Sequence, residues 1–248
     1  MVLVTGPTWS GKTSTLYTCL NQLNTPAANL MTVEDPIEFH FPGINQVQTK
    51  ERVSLTFASA LRAFLRQDPD IIMVGEVRDL DTAQIAIKAA LTGHLVLSTL
   101  HTNDASSAVN RLRDMAVEPY LIANSVHLLC AQHLVRRICA RCKNQVETPP
   151  SSLTAIGFPT SSLEELVSYR GRGCKHCHGS GYQGRTGISA VMEVTESIQK
   201  LILSGSSTLR IREEATKQGM ATLRQSGLAK IQSGITTLEE VLKETGNR

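Results

Sequence analysis

Residues Gly6-Pro7-Thr8-Trp9-Ser10-Gly11-Lys12-Thr13 fit the phosphate-loop pattern G-x(4)-G-K-[ST], and this constrains the fold more than anything else in the chain. The run Met1-Val2-Leu3-Val4-Thr5 before the loop reads as a buried strand. Thr13 to Leu23 after it reads as a helix with Leu16, Leu20 and Leu23 on one face. A strand, a glycine-rich loop and a helix N-terminus together form an anion trap, because loop N–H groups and the positive end of the helix dipole converge. The pattern assigns Gly6, Thr8, Ser10, Gly11, Lys12, Thr13 and Ser14 to a nucleotide site. Lys12 is expected to reach the β- and γ-phosphates, and the Thr13 hydroxyl to hold magnesium. Trp9 stands where many such loops carry glycine, so it must point outward or strain the turn. It then either leaves the N–H cradle intact or weakens nucleotide affinity.

Strand-like runs recur downstream, each handing over to a polar loop and then a helix. Leu30 to Val33 precedes Glu34-Asp35-Pro36, Ile71 to Val74 precedes Gly75-Glu76, and Leu95 to Leu100 precedes His101-Thr102-Asn103-Asp104. Helices are expected over Thr56 to Arg66, over Thr82 to Leu91 behind an Asp81 cap, and over Ala105 to Met115 behind an Asp104 cap. This alternation predicts an α/β fold with a mostly parallel sheet and ligands at the strand ends. The pattern changes near Gln132, through a basic segment, a Pro/Ser-rich stretch from Thr148 to Ser162 and a Cys/Gly-rich segment from Gly171 to Gly187. The last portion, Thr195 to Thr245, reads as helical, with Thr237 and Glu240 as a capping box. Three parts are expected: a phosphate-loop core at 1–135, a part bearing the basic and Cys/Gly-rich segments at 136–190 and a C-terminal helical part at 191–248.

A net charge of +3 over 248 residues is too small to argue for direct nucleic-acid binding, and aromatic residues are few. No apolar run reaches membrane-spanning length, and the N-terminus reads as a core strand and not a signal peptide. The expected location is cytoplasmic. A chain that opens on a core strand also reads as the C-terminal part of something longer.

Four of the six cysteines form two C-x-x-C pairs, Cys139/Cys142 and Cys174/Cys177, enough to close a tetrahedral zinc site. Arg136, Arg137, Arg141 and Lys175 would offset the negative charge of four thiolates. Cys174-Lys175-His176-Cys177-His178 also matches the haem pattern C-x-x-C-H, but the second cysteine pair favours zinc. Gly179-Ser180-Gly181-Tyr182-Gln183-Gly184 matches G-x-G-x-x-G, yet it follows a cysteine knuckle and not a strand. Turns around a metal are the better account of it. Cys19 and Cys130 read as buried apolar residues.

Glu76 ends an apolar strand where a P-loop ATPase keeps its catalytic acid, with Gly75 in place of the usual aspartate. Glu34 ends another strand on the same edge, and His94 and His101 bracket a third. Four segments occur in order: Gly6 to Thr13, Thr32 to Glu38 (TVEDPIE), Leu65 to Asp79 (LRQDPDIIMVGEVRD) and Gly93 to Asp104 (GHLVLSTLHTND). Together they resemble the Walker A, Asp-box, atypical Walker B and His-box elements of the secretion ATPases, the family that drives type II secretion and type IV pilus assembly.

That resemblance implies a RecA-like P-loop NTPase core with an inserted four-cysteine zinc knob and a C-terminal helical subdomain. It implies ATP, magnesium and zinc as ligands, and Glu76 as the catalytic glutamate. Glu34 becomes an acid that orders magnesium or water, and His94 and His101 become sensors of the γ-phosphate. It further implies a homo-oligomer, a hexameric ring, working on an inner-membrane platform protein. The four cysteines match the assembly branch better than the retraction branch. Trp9 and His133 depart from the family pattern, where glycine and arginine are usual. The expected function is an ATP-hydrolysing motor subunit. Two alternatives stand beside it: a subunit that binds nucleotide without hydrolysing it, lacking N-terminal arginines, and a nucleic-acid translocase.

Overall fold

The computed structural model describes residues 1–147 and 167–246, so the whole Pro/Ser-rich stretch from Thr148 to Ser162 lies outside the described residues. Two compact units are present: Met1–Ala131 with Val191–Met220, and Gln132–Ala190 with Ala221–Arg248. The C-terminal helices are therefore divided between the two units.

In the first unit, β1 (Val2–Thr5) leads into α1 (Lys12–Leu23), followed by β2 (Leu30–Glu34), β3 (Ile44–Gln48) and α2 (Phe57–Phe64). Then come β4 (Ile71–Val74), α3 (Leu80–Leu91), β5 (Leu95–Leu100), α4 (Ala105–Asp114) and α5 (Pro119–Ser125). β6 (Leu128–Ile138) and, later, β9 (Tyr182–Glu193) belong to this unit only through residues 128–131 and 191–193, and the sheet order is β3-β2-β4-β5-β1-β6-β9. The pairings β2/β3, β2/β4, β4/β5, β1/β5 and β1/β6 are all parallel. Helices α6 (Glu196–Leu203) and α7 (Thr208–Lys217) return to this unit, packing against α5 and α4 respectively.

Both faces of the sheet are covered, which explains the nearly continuous apolar strands. Val4, Ile71, Met73 and Leu97 face Leu16, Tyr17 and Leu20 of α1. Leu3, Ile72 and Val96, one residue out of phase, are fully buried on the opposite face. Leu23 was expected on the apolar stripe of α1 but is 37% exposed, and Tyr17 fills the stripe instead. Cys19 is likewise exposed and Cys130 half-buried, so neither is the buried apolar residue expected. Asp79, not Asp81, caps α3, accepting the Thr82 N–H at 2.8 Å. Asp81 sits in the first turn and pairs with Arg62. The Asp104 cap on α4 is as expected. No helix among the described residues is long and apolar enough to cross a membrane.

The second unit holds the antiparallel pair β7 (Lys143–Val146) and β8 (Ser168–Gly171), the cysteine segment, α8 (Leu223–Gln232) and α9 (Leu238–Thr245). Thr237 caps α9, but Glu240 does not reach back to complete a capping box. Its buried carboxylate instead accepts the Arg136 backbone N–H at 3.0 Å and the Arg136 guanidinium at 2.6 Å. Desolvation works against the charged form of Glu240, yet those bonds hold its acid below the ordinary range. The same guanidinium lies 4.1 Å from the centre of the Tyr182 ring, and the Tyr182 hydroxyl bonds Thr237 at 2.8 Å.

Gly227 in α8 packs against α9 so closely that a Cβ would meet Val241 Cγ1 at 2.5 Å. Gly227→Ala is expected to destabilise the second unit by about 1–3 kcal/mol through overpacking, read by chemical denaturation. Gly187→Ala, where a Cβ meets open space, is the control and should be neutral or slightly stabilising.

Candidate functional site

Because the strands are parallel and in register, their C-terminal ends share one edge. Thr5 pairs with Leu100, Val33 with Val74, and Val74 with Ser98. The phosphate loop, Glu34, Glu76 and His101 follow directly from those ends.

The loop turns on two left-handed residues. Gly11, the N-cap of α1, has φ 85° and no side chain to cap the first turn, so the helix opens toward the loop with its own N–H groups. Trp9 has φ 67° and is 82% exposed. The indole therefore points outward, and the backbone also occupies the region that disfavours a bulky side chain. Gly6 and Ser10 are buried, while Thr8, Thr13 and Ser14 are exposed, the last two on the first turn of α1. The Lys12 amine donates to the carbonyls of Gly6 at 2.9 Å and Pro7 at 3.0 Å. Burial lowers its pKa, and the carboxylate of Glu76 partly offsets that. Lys12 and Glu76 thus act on each other across the site. The end of β1 is tied to the loop after β5, since Thr102 donates its N–H to the Thr5 hydroxyl at 3.0 Å.

Glu34 and Glu76 have different surroundings. Glu34 is 2% exposed and held by neutral donors: the Tyr17 hydroxyl on Oε2, and Thr32 at 2.6 Å and Gln46 at 3.0 Å on Oε1. Tyr17, packed edge-on to Phe39 and Phe41, has its hydroxyl pKa pushed up to about 12 by burial and by that bond. Glu76 lies beside the guanidinium of Arg78, 2.5 Å from Oε1, and the imidazole Nε2 of His101, 3.3 Å from Oε2. The Arg78 contact was not expected. A basic residue two positions from a strand-end acid is the signal that carries it.

Gly75 has a local reason. A Cβ there would come within 3.3 Å of the Val33 carbonyl and 3.4 Å of Glu34 Cα, so an aspartate would press on the β2 backbone. The two histidines do not share a site. His101 lies at the nucleotide edge, but His94 precedes β5 at its other end, roughly 23 Å away along the strand at ~3.3 Å per residue. There its Nδ1 contacts the Ala89 carbonyl at 2.9 Å and Thr92 at 3.1 Å. Within this chain His94 thus stands at the opposite end of β5 from the phosphate loop. Asp104 caps α4 and pairs with Arg212 of α7 at 2.9 Å. Desolvation opposes its charged form, but the bonds from Ser106 and Ser107 and the nearby Arg212 keep its acid below the ordinary range.

In the second unit the four thiols of Cys139, Cys142, Cys174 and Cys177 lie within 4.8 Å of one another. Sulfur separations of 3.9, 3.8 and 3.7 Å match the edge of a tetrahedron with metal–sulfur bonds of about 2.3 Å. The donor set and its spacing therefore fit zinc. Desolvation alone would raise the Cys177 thiol, but the N–H groups of Cys174 at 3.2 Å and Gly181 at 3.3 Å bring it down, while its neighbour Cys142 is pushed up within the same cluster. The glycines serve this turn: a Cβ on Gly171 would fall 2.0 Å from the Gly181 carbonyl oxygen.

Trp9→Gly removes an exposed side chain and relieves a left-handed backbone that costs roughly 1–2 kcal/mol, against about 0.5–1 kcal/mol of added unfolded-state entropy. Thermal unfolding should show a neutral to slightly stabilised chain.

A profile described as "Type II/IV secretion system protein" matches residues 1–243. The type IV pilus assembly ATPase PilB of Myxococcus xanthus is 51% identical over 246 residues, covering 99% of this chain and 44% of that protein. The type II secretion system ATPase E of Vibrio cholerae is 50% identical over 245 residues, covering 99% of this chain and 48% of that protein. This chain thus spans somewhat under half the length of these relatives. Among solved structures, the pilus retraction motor PilT with bound ADP superposes with a TM-score of 0.73 at 28% identity, covering 99% of this chain and 61% of that one. With the phosphate loop, the parallel sheet and the strand-end acids already in place, this chain belongs to the type II/IV secretion system ATPase family.

Proposed function

We propose that this chain binds ATP and hydrolyses it to ADP and phosphate as the ATPase part of a motor for type IV pilus assembly or type II secretion. The observation that carries this is the shared strand edge, where Lys12 and Glu76 interact electrostatically and His101 touches Glu76. Loop N–H groups and Lys12 would bind the phosphates, and the Thr13 hydroxyl would hold magnesium. When bound there, magnesium shields charge on the phosphates. Glu76 takes a proton from the attacking water as that water bonds to the γ-phosphorus and the bond to ADP breaks. Glu34, already gripped by three donors, contributes fixed negative charge and orders the water around the metal.

The four cysteines hold one zinc that keeps their segment folded. By analogy with the relatives, copies form a ring, a hexamer in this proposal, in the cytoplasm against an inner-membrane platform protein. Hydrolysis is expected to be slow in this chain by itself.

Calorimetry with magnesium and a non-hydrolysable ATP analogue, together with phosphate release, tests the reading. Lys12→Ala should abolish saturable heat. Glu76→Gln should bind normally and lose turnover by about 10²-fold or more. Absence of binding by a folded parent chain would sink the proposal. Binding without turnover would favour a subunit that only holds nucleotide. For the cysteines, metal analysis should find one zinc per chain. A chelator, or Cys177→Ser, should remove it and lower the melting temperature of the second unit, while nucleotide binding by the first persists.

A further inference from the structure

The segment from Gly75 to Asp79 carries Glu76 and is pinned along its length. The Gly75 N–H donates to the Val33 carbonyl at 2.8 Å, and the Gly75 carbonyl accepts the Thr99 hydroxyl at 2.7 Å. Val77 is buried at 3% exposure, with its N–H on the Thr99 carbonyl at 3.1 Å. Asp79 is fixed as the cap of α3. With Val77 turned into the core, Glu76 and Arg78 come out on the same side, as alternate side chains of a non-helical backbone do.

The two oxygens of Glu76 are consequently addressed by different groups, Oε1 by Arg78 at 2.5 Å and Oε2 by His101 at 3.3 Å. Lys12 of α1 also acts electrostatically on this carboxylate, and Asp35 and Glu51 act on Arg78. The Arg78 side chain is 59% exposed, so the pair adds little to stability. Its effect is on orientation: a guanidinium bound to one oxygen restricts rotation of the carboxylate plane and fixes where the other oxygen points. A base directed at one water molecule depends on that, since displacements of about 1 Å can cost ~10²-fold in rate.

We propose that Arg78 is a positioning residue for Glu76, holding Oε1 so that Oε2, the oxygen beside His101, receives the proton of the attacking water. The proposal rests on the hydrolytic role given to Glu76 above.

The test compares Arg78→Gln and Arg78→Lys with the parent in the zinc-loaded chain. It measures kcat and KM for MgATP, analogue affinity by calorimetry, and the ¹³C resonance of the Glu76 carboxylate, assigned with Glu76→Gln. Arg78→Gln should lower kcat by about tenfold or more, leave KM and analogue affinity within about twofold, and move the Glu76 resonance. Arg78→Lys keeps the charge on a donor of different reach and geometry and should recover only part of the rate. An unchanged or raised kcat would overturn the proposal, as would an unmoved resonance. Loss of analogue affinity in step with the rate would make Arg78 a phosphate ligand and overturn it too. If the parent binds nucleotide without turnover, the hydrolytic reading fails, and the resonance still decides whether Arg78 orients Glu76.

Discussion

The parallel pairing of β4 with β5 is the contact on which the nucleotide edge depends. Beyond the ladder itself, β5 grips the end of β4 with two hydroxyls, Ser98 on the Val74 carbonyl and Thr99 on the Gly75 carbonyl, both at 2.7 Å. Those carbonyls lie just where the ladder ends, and an unpaired one there would cost free energy. Satisfying them from a neighbouring strand fixes where the chain leaves the sheet. Glu76 and Arg78 inherit their positions from that exit. The serine and threonine of β5 thus serve the site without touching it.

The same edge holds two glutamates in opposite electrostatic surroundings. Glu34 is buried among hydroxyls and an amide, which stabilise a carboxylate without supplying charge. Glu76 is more exposed and lies between a guanidinium, an imidazole and the field of Lys12. The first carboxylate has its acceptor sites occupied by fixed neutral donors, whereas the second is partly open to solvent beside charged and titratable side chains. The two acids thus differ in their surroundings although they end neighbouring strands.

Much of this was legible in the sequence, because short-range rules govern it. The phosphate loop, the β4 and β5 strands, the Asp104 cap and the four-cysteine cluster follow from local pattern and spacing. Failures came where distant partners decide. Glu240 satisfies a local capping pattern, yet Arg136, over a hundred positions away, takes its carboxylate. Asp79 and Asp81 are both plausible caps, and Arg62 draws Asp81 away. The histidines bracketing β5 look equivalent on paper, but a strand separates its two ends by its full length. Tyr17 replaces Leu23 on the buried face of α1 because Glu34 and the Phe39 and Phe41 rings offer it partners.

The division of the C-terminal helices has a consequence for synthesis. The first unit takes its last pieces from Val191–Met220, which follow the whole cysteine-bearing segment in the chain. A ribosome therefore exposes the phosphate loop, the sheet strands and α5 well before α6 and α7 arrive to cover α5 and α4. Until then the apolar faces of those helices remain open, so the nascent chain passes through a window in which it is prone to aggregate. The order of elements along the chain, and not only their final packing, sets how long that window lasts.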